Sequence, residues 1–538
     1  MTDVAEKSDN HSGSSDEGSH IPIYERPKGL KGFYHHPVTQ VTMLGFVCFM
    51  GPGLFNALNG LGGGGQVDPT TSANANSALY ATFAVAAFFS GSINNKLGSR
   101  LTLLLGTTGY SLYIGSFLAI NIHPNTGPFV ITAGAILGIC AGLLWTAQGS
   151  LMLAYPTETQ KGKFIGIFWA IFNLGAVVGA SVSLGQNFHS TANSGASTKN
   201  DYLAERPFNP GMLHSWKRNL RRLPPSSTSS LLPLTLTFPS AQHQVGFLVL
   251  TLIGVTIPFL MVNPTQMVRT DGTKVTAPRH PSWRVELYGL WVTLITDPMV
   301  ILLFPMFFAS NWFYTWQFNE FNNALFNIRA RSLNNLVYWL AQILGSVSIG
   351  ILLDQKRISR RTRAFSGWTI LLGMVFVVHI WAYFYQKQYT RESIPPDATK
   401  MDIFDHGYAG RIMLYIFCGL LDAMWQTTAY WIMGAMSNDP AKLAHFTGFY
   451  KSIQSAGGAG AWRADAVKTP FMNMFLSTWT ILVAGLIFAL PMIHLRVKNF
   501  TDLGDEALMR MDDSGRIADS GEVRRRIRPV SRPEPEKA

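Results

Sequence analysis

Two charged residues stand inside otherwise apolar stretches. Asp422 lies in GLLDAMWQTTAYWIMGAM and Lys451 in HFTGFYKSIQSAGGAG. An ionisable group in an apolar span costs a few kcal/mol by insertion scales, roughly, and such residues mark solute paths, proton relays or packing pairs. Gln426 follows Asp422 by one helical turn and Gln454 follows Lys451 by three residues, so each glutamine shares its neighbour's helix face. The sequence expectation is that Asp422 and Lys451 pair across a cavity. Such a pair would bind a solute, take up a proton, or only lock helix packing; the two groups standing apart is the remaining alternative.

Other polar side chains recur near span ends. Asn56 and Asn59 follow Pro52 and Gly53, and offer amides either to a solute or to a neighbouring helix. Asn311, Gln317, Asn319, Glu320, Asn322 and Asn323 form a second amide-rich stretch, interleaved with Trp312, Tyr314 and Trp316. Those rings, Trp316 first among the candidates, would stack on a cation or organic ring, or form an interfacial belt. Arg463 and Asp465 read as a local ion pair. The histidines show no H-E-x-x-H, and neither a G-x-S-x-G elbow nor a P-loop occurs, so no metal, cofactor or enzymatic activity is expected. Gly60 to Gly65 satisfies G-x-G-x-x-G, but an apolar helix-length run precedes it where a dinucleotide site needs a strand. These glycines are expected to end a helix in a hinge.

The elements that position these residues follow from composition. Of 538 residues, 47% are hydrophobic and only 14% charged, against about a quarter charged in soluble proteins. The chain therefore reads as an all-α polytopic membrane protein whose first partner is the lipid bilayer. Twelve apolar runs can cross it, near 39–60, 74–94, 101–121, 127–153, 164–187, 246–263, 287–318, 331–353, 365–385, 410–436, 442–464 and 473–495. The seventh is long enough to include an amphipathic lead-in. The net charge of +12 comes from Lys and Arg clustered in alternate loops, which argues for membrane orientation and against nucleic acid. Both termini are expected on the cytosolic side. Residues 1–38 and 496–538 read as cytosolic tails, the first disordered, and 264–286 as a central cytosolic loop. The Pro/Ser/Thr-rich stretch within 190–245 reads as a disordered insertion, with an outer regulatory loop as the alternative.

An internal repeat divides the chain into six-helix halves, 39–263 and 287–495. KFIGIFWAIFNLGAVVGA aligns with AHFTGFYKSIQSAGGAGA, matching Phe164 to Phe446, Gly166 to Gly448 and Gly175 to Gly457. The alignment sets Trp169 opposite Lys451 and Leu144 opposite Asp422, so the ionic residues belong to the second half. Parallel repeats of this kind resemble the major facilitator superfamily. The segment with Gly91, Asn95, Lys96, Gly98 and Arg100 is similar to that superfamily's inner-loop signature, with Asn95 where Asp is usual. Gly350 and Asp354 stand at the counterpart. These seven residues are expected to latch cytosolic helix ends.

GPGLFNALNGLGGGGQ, YPTETQKGKFIGIFW, YTWQFNEFNNALFNIRARSLNN and GAWRADA together resemble fungal members of the Unc-ninety-three-like family. The resemblance implies a major facilitator fold. It leaves two functions open: a secondary transporter of a small solute or ion, or a non-transporting regulator or escort whose partner is another membrane protein, a channel or receptor. Asp422, Lys451, Gln426, Gln454, Asn56, Asn59 and Trp316 are the candidate solute contacts.

Overall fold

The computed structural model describes residues 24–61, 69–123, 125–157, 159–189, 239–275, 283–296, 298–396, 399–437 and 440–499. The glycine run after Leu61, the stretch 190–238 and the tail from residue 500 lie outside the described residues, so the hinge expectation falls there too. The described residues are mainly helical. Among the described residues, β pairing is limited to two isolated bridges, Val268–Lys274 and Phe326–Met401.

In chain order the α-helices are α1 Gly29–Tyr34, α2 Pro37–Cys48, α3 Leu54–Gly60, α4 Pro69–Leu97, α5 Ser99–Ile122, α6 Gly127–Ala154 and α7 Lys161–Asn187. The series continues with α8 Pro239–Leu260, α9 Trp283–Thr296, α10 Phe304–Ala309, α11 Ile328–Leu353, α12 Arg360–Gln386, α13 Tyr408–Met436, α14 Pro440–Ala466 and α15 Phe471–Arg496. Among the described residues nine helical segments are long and apolar enough to cross a membrane. The other three expected spans are α8, the broken seventh, and α14, whose Lys442, His445, Lys451 and Gln454 make it the most polar of the long helices. Large apolar side chains such as Ile139, Leu344, Ile351, Val377 and Ile487 are exposed on outward faces, where hydrocarbon would cover them.

Three expectations are corrected. The N-terminal segment is structured from residue 24: α1 falls inside the expected tail, Tyr24 N–H donates to Gly272 O at 2.9 Å, and Lys274 lies 3.9 Å over the Tyr24 ring. The expected insertion is shorter at its far end, because α8 begins at Pro239. The seventh span is not one rod. A 3-10 turn at Pro298–Leu303 and a π-helical stretch at Trp316–Asn323 interrupt it. Pro298 and Pro305 each lack the N–H that a continuous helix would need. The first span is broken for the same reason: Pro52 sits in a π-turn, Phe49–Gly53, joining α2 to α3.

The repeat is visible in packing. A Cβ added to Gly175 of α7 would fall 2.3 Å from Phe49 O, and one added to Gly457 of α14 would fall 2.1 Å from Phe308 O. Matched glycines thus let the fifth span touch the first and the eleventh touch the seventh, backbone to backbone. The halves meet along α4 with α14 and α7 with α11. There too backbones are close, since a Cβ on Gly448 would lie 2.9 Å from Ala87 O.

Candidate functional site

The long helices border a central cavity. Its first-half wall is mostly aromatic: Phe55, Tyr80, Phe83, Tyr110, Trp145, Trp169 and Phe172. Its second-half wall is mostly polar: Asn311, Tyr314, Gln342, Gln426, Lys451 and Gln454, with Trp339. Within the aromatic wall, Trp145 Nε1 donates to the Tyr110 hydroxyl at 3.1 Å and Trp169 Nε1 to Gln342 Oε1 at 3.1 Å.

The expected Asp422–Lys451 ion pair is corrected by this geometry. Two glutamines stand between the charges. Lys451 Nζ donates to Gln454 Oε1 at 2.7 Å, Gln454 Nε2 to Gln426 Oε1 at 3.1 Å, and Gln426 Nε2 to Asp422 Oδ1 at 2.8 Å. The other carboxylate oxygen, Oδ2, accepts from Gln342 Nε2 at 2.5 Å and Tyr338 Oη at 3.0 Å. Asp422 and Lys451 are 1% and 3% exposed, so each depends on neutral hydrogen-bond partners in place of water. The Lys451 ammonium also lies 4.5 Å from the Trp145 ring centre, 4.8 Å from Tyr450 and 5.3 Å from Tyr430, a cage of aromatic faces that favours a cation.

Sequence reasoning thus brought Asp422, Gln426, Lys451 and Gln454 to one network, and Asn56 to the cavity wall beside Pro52. Asn59 is buried outside the lining. Trp316 is also corrected. It is 1% exposed, donates to Gln386 Oε1 at 2.7 Å and packs on Phe321 and Phe475, away from the cavity; Tyr314 lines it instead. The missed participants are Tyr338, Gln342, Trp145, Tyr430 and Tyr450. Tyr338 and Gln342 repeat at i, i+4 in an apolar span, the same signal that exposed Asp422 and Gln426.

Helix ends meet across the halves at one side of the cavity. Asp354, the residue that ends α11, accepts the amide hydrogens of Gly162 at 2.8 Å and Lys163 at 2.6 Å, capping the first turn of α7 across the interface. Burial raises its carboxyl above the usual carboxylate range, and the two amides and Arg363 oppose that shift. Gly350 lies directly on Gly162: a Cβ there would fall 2.9 Å from Gly162 O. Lys161 completes a reciprocal contact, donating to Gly434 O and, at 2.9 Å, to Ser437 O at the end of α13. In the first-half counterpart, Arg100 donates to Pro258 O and Phe259 O at the end of α8, Gly98 takes φ +82° before α5, and Asn95 Nδ2 lies 3.4 Å from His445 Nε2. Lys96 lies in the last turn of α4, and Gly91 lies against the Ala444 carbonyl.

The halves also meet on the opposite side. Arg331 Nη2 donates to Leu61 O at 2.7 Å, Asn335 Nδ2 to Ala57 O at 2.8 Å and Asn322 Nδ2 to Gly60 O at 3.1 Å, tying the second half to the end of the first span. Nearby, Asp465 does not form the expected pair with Arg463. It binds Arg391 at 2.7 Å and Asn319 at 2.7 Å, and Arg391 also reaches Glu320 at 3.2 Å. Contacts between the halves thus lie at both ends of the helices, on either side of the cavity.

This architecture is matched by the crystal structure of the E. coli fucose:proton symporter FucP, with a TM-score of 0.54 at 13% identity, over 85% of this chain and 98% of that one. The xylose transporter XylE from E. coli matches with a TM-score of 0.52 at 13% identity, over 86% and 98%. At such identities the likeness concerns the fold, that of the major facilitator superfamily. In sequence, an UNC93-like protein of Schizosaccharomyces pombe is 43% identical over 485 residues, 89% of this chain and 87% of that protein. UNC93-like protein 1 of Arabidopsis thaliana is 37% identical, over 87% and 92%. The profile of the family described as "Ion channel regulatory protein UNC-93" matches residues 64–488. The chain belongs to the UNC-93 family, built on the major facilitator fold.

Proposed function

We propose that this protein is a secondary transporter that moves a small solute by rocking its two halves around the central cavity, with both termini on the cytosolic side. The observation that carries this reading is the central cavity itself. It is walled by both halves, contains a hydrogen-bonded ionic network, and lies between an inner closure at Asp354 and Lys161 and an outer closure at Arg331 and Asn335. Release of one closure at a time would expose the same site to alternate sides.

Asp422 is suited to proton coupling. The Tyr338 hydroxyl has one proton and two acceptors in reach, Gln317 Oε1 at 2.8 Å and Asp422 Oδ2 at 3.0 Å. With Asp422 ionised, one acceptor goes unserved by that proton. A protonated Asp422 donates to the phenol oxygen, and the phenol then donates to Gln317. The network can thus accommodate both states of the carboxyl.

The test is solute flux into proteoliposomes containing wild type, Asp422→Asn or Lys451→Met. Loss of gradient-driven uptake in both variants supports the reading, and gradient-driven uptake untouched by either sinks it. A second reading, regulation of another membrane protein, is favoured by the description of the matched family. It also draws on the neutral Asn95 in the inner latch. A partner that co-purifies with a protein unable to move any solute would favour it.

A further inference from the structure

We infer that the cavity takes a small organic anion, with a carboxylate meeting Lys451 and a flat apolar body lying on the first-half aromatics. This rests on reading the cavity as a solute site, and it names the class of solute.

The charge argument comes first. Among the described residues lining the cavity, Lys451 alone carries a formal charge. Asp422 is not part of the lining, and Gln342, Tyr338 and Gln426 stand around its oxygens as donors. A cationic solute would therefore meet an ammonium directly and a carboxylate only through a layer of amides.

Donor accounting points the same way. The Lys451 ammonium has three N–H groups, and its hydrogen bond goes to Gln454 Oε1. Around it stand the faces of Trp145, Tyr430 and Tyr450, which attract a cation but offer no lone pair of the kind an N–H seeks. Asn311 gives its carbonyl oxygen to Gln454, which leaves its NH2 group to donate. The spare capacity on this wall is donor capacity, and a carboxylate is acceptor-only.

Shape supplies the rest. Beside the Lys451 cage, Phe172 lies 5.2 Å from the Trp145 ring and Trp169 lies 6.3 Å from the Tyr430 ring, and Tyr80, Phe83, Leu137 and Ala141 also border the space. A planar apolar body suits such faces, while an inorganic anion or a polyol would leave them against polar groups.

The experiment uses the purified full chain in lipid nanodiscs, titrated calorimetrically with four probes. Benzoate, benzamide and benzylamine share a ring and differ in head charge; acetate keeps the head and lacks the ring. The expected order is benzoate first, with benzamide and acetate at least about tenfold weaker and benzylamine weakest. Lys451→Met should weaken benzoate by about tenfold or more, with Lys451→Arg restoring most of it. Benzylamine binding as well as benzoate, no benzoate binding, or benzoate affinity unchanged in a folded Lys451→Met would overturn the inference. If Lys451→Met does not fold, the wild-type probe series alone decides. Benzoate that binds as expected but does not cross proteoliposomes would leave this inference standing and remove the transport reading. A cationic solute carried by both wild type and Lys451→Met would do the reverse.

Discussion

Trp169 and Gln342 share a hydrogen bond of 3.1 Å, so a first-half indole touches the amide that also donates to Asp422 in the second half. By the repeat, Trp169 is the counterpart of Lys451, and both line the same cavity. Trp169→Phe keeps the ring surface and deletes this one link. At about 1 kcal/mol for a net hydrogen bond, flux should fall several-fold without loss of folding. Flux as low as in Asp422→Asn would mean that the indole does more than position Gln342.

Asp422→Asn preserves shape and removes the exchangeable charge. In proteoliposomes with an imposed proton gradient, wild-type accumulation should follow the gradient. In the variant, any remaining flux should become indifferent to it, while solute exchange at equal pH persists. Gradient-driven accumulation by Asp422→Asn would exclude this carboxyl as the coupling site.

Asp354→Ala deletes two main-chain caps, an effect of about 1–2 kcal/mol by analogy with N-cap losses. The inner closure should loosen by roughly tenfold in population. Spin labels at Leu97→Cys and Arg357→Cys report this as a broader, longer distance distribution. An unchanged distribution would show that Lys161 and the glycine contact hold the inner side unaided.

Gly448→Ala pushes a methyl against the Ala87 carbonyl, 2.9 Å from the added carbon, whereas Gly373→Ala meets nothing within 4 Å. The first should destabilise by about 1–3 kcal/mol, and the second should be neutral or slightly stabilising. Thermal melts of the two variants in one detergent make the comparison.

Trp316→Phe should lower thermal stability by about 1 kcal/mol through loss of the bond to Gln386. Its affinity for any cavity solute should match wild type. A changed affinity would reinstate the tryptophan at the site.

Much of this fold was legible because a bilayer makes simple demands on sequence. Helix positions follow from apolar length, and the repeat follows from glycines such as Gly175 and Gly457, whose contacts leave no room for a side chain. Polar residues in apolar runs likewise flagged Asp422, Lys451 and their glutamines. What stayed hidden was direction at short range. The pairing of Asp422 with Lys451 follows from opposite charge alone, yet Gln426 and Gln454 fit between them and serve each separately. Trp316 was misjudged because a π-helical stretch shifts side-chain angles away from the usual helical period, turning that ring toward Gln386 and leaving Tyr314 at the cavity. Nothing in the sequence separates Tyr430 and Tyr450 from other aromatics in apolar runs, yet their faces stand around an ammonium.

The closures have a genetic consequence. Asp354, Lys161, Arg331, Asn335 and Asn322 each reach across the interface to main-chain atoms: the amides of Gly162 and Lys163, or the carbonyls of Gly434, Ser437, Leu61, Ala57 and Gly60. Such bonds have no side-chain identity on the receiving end. For these bonds, charge reversal at both positions, the usual suppressor of a broken ion pair, has no second side chain to exchange. The receiving helix ends can drift in sequence while the locks persist, and a lost lock can be recovered only by reversion or by weakening its counterpart on the other side of the membrane.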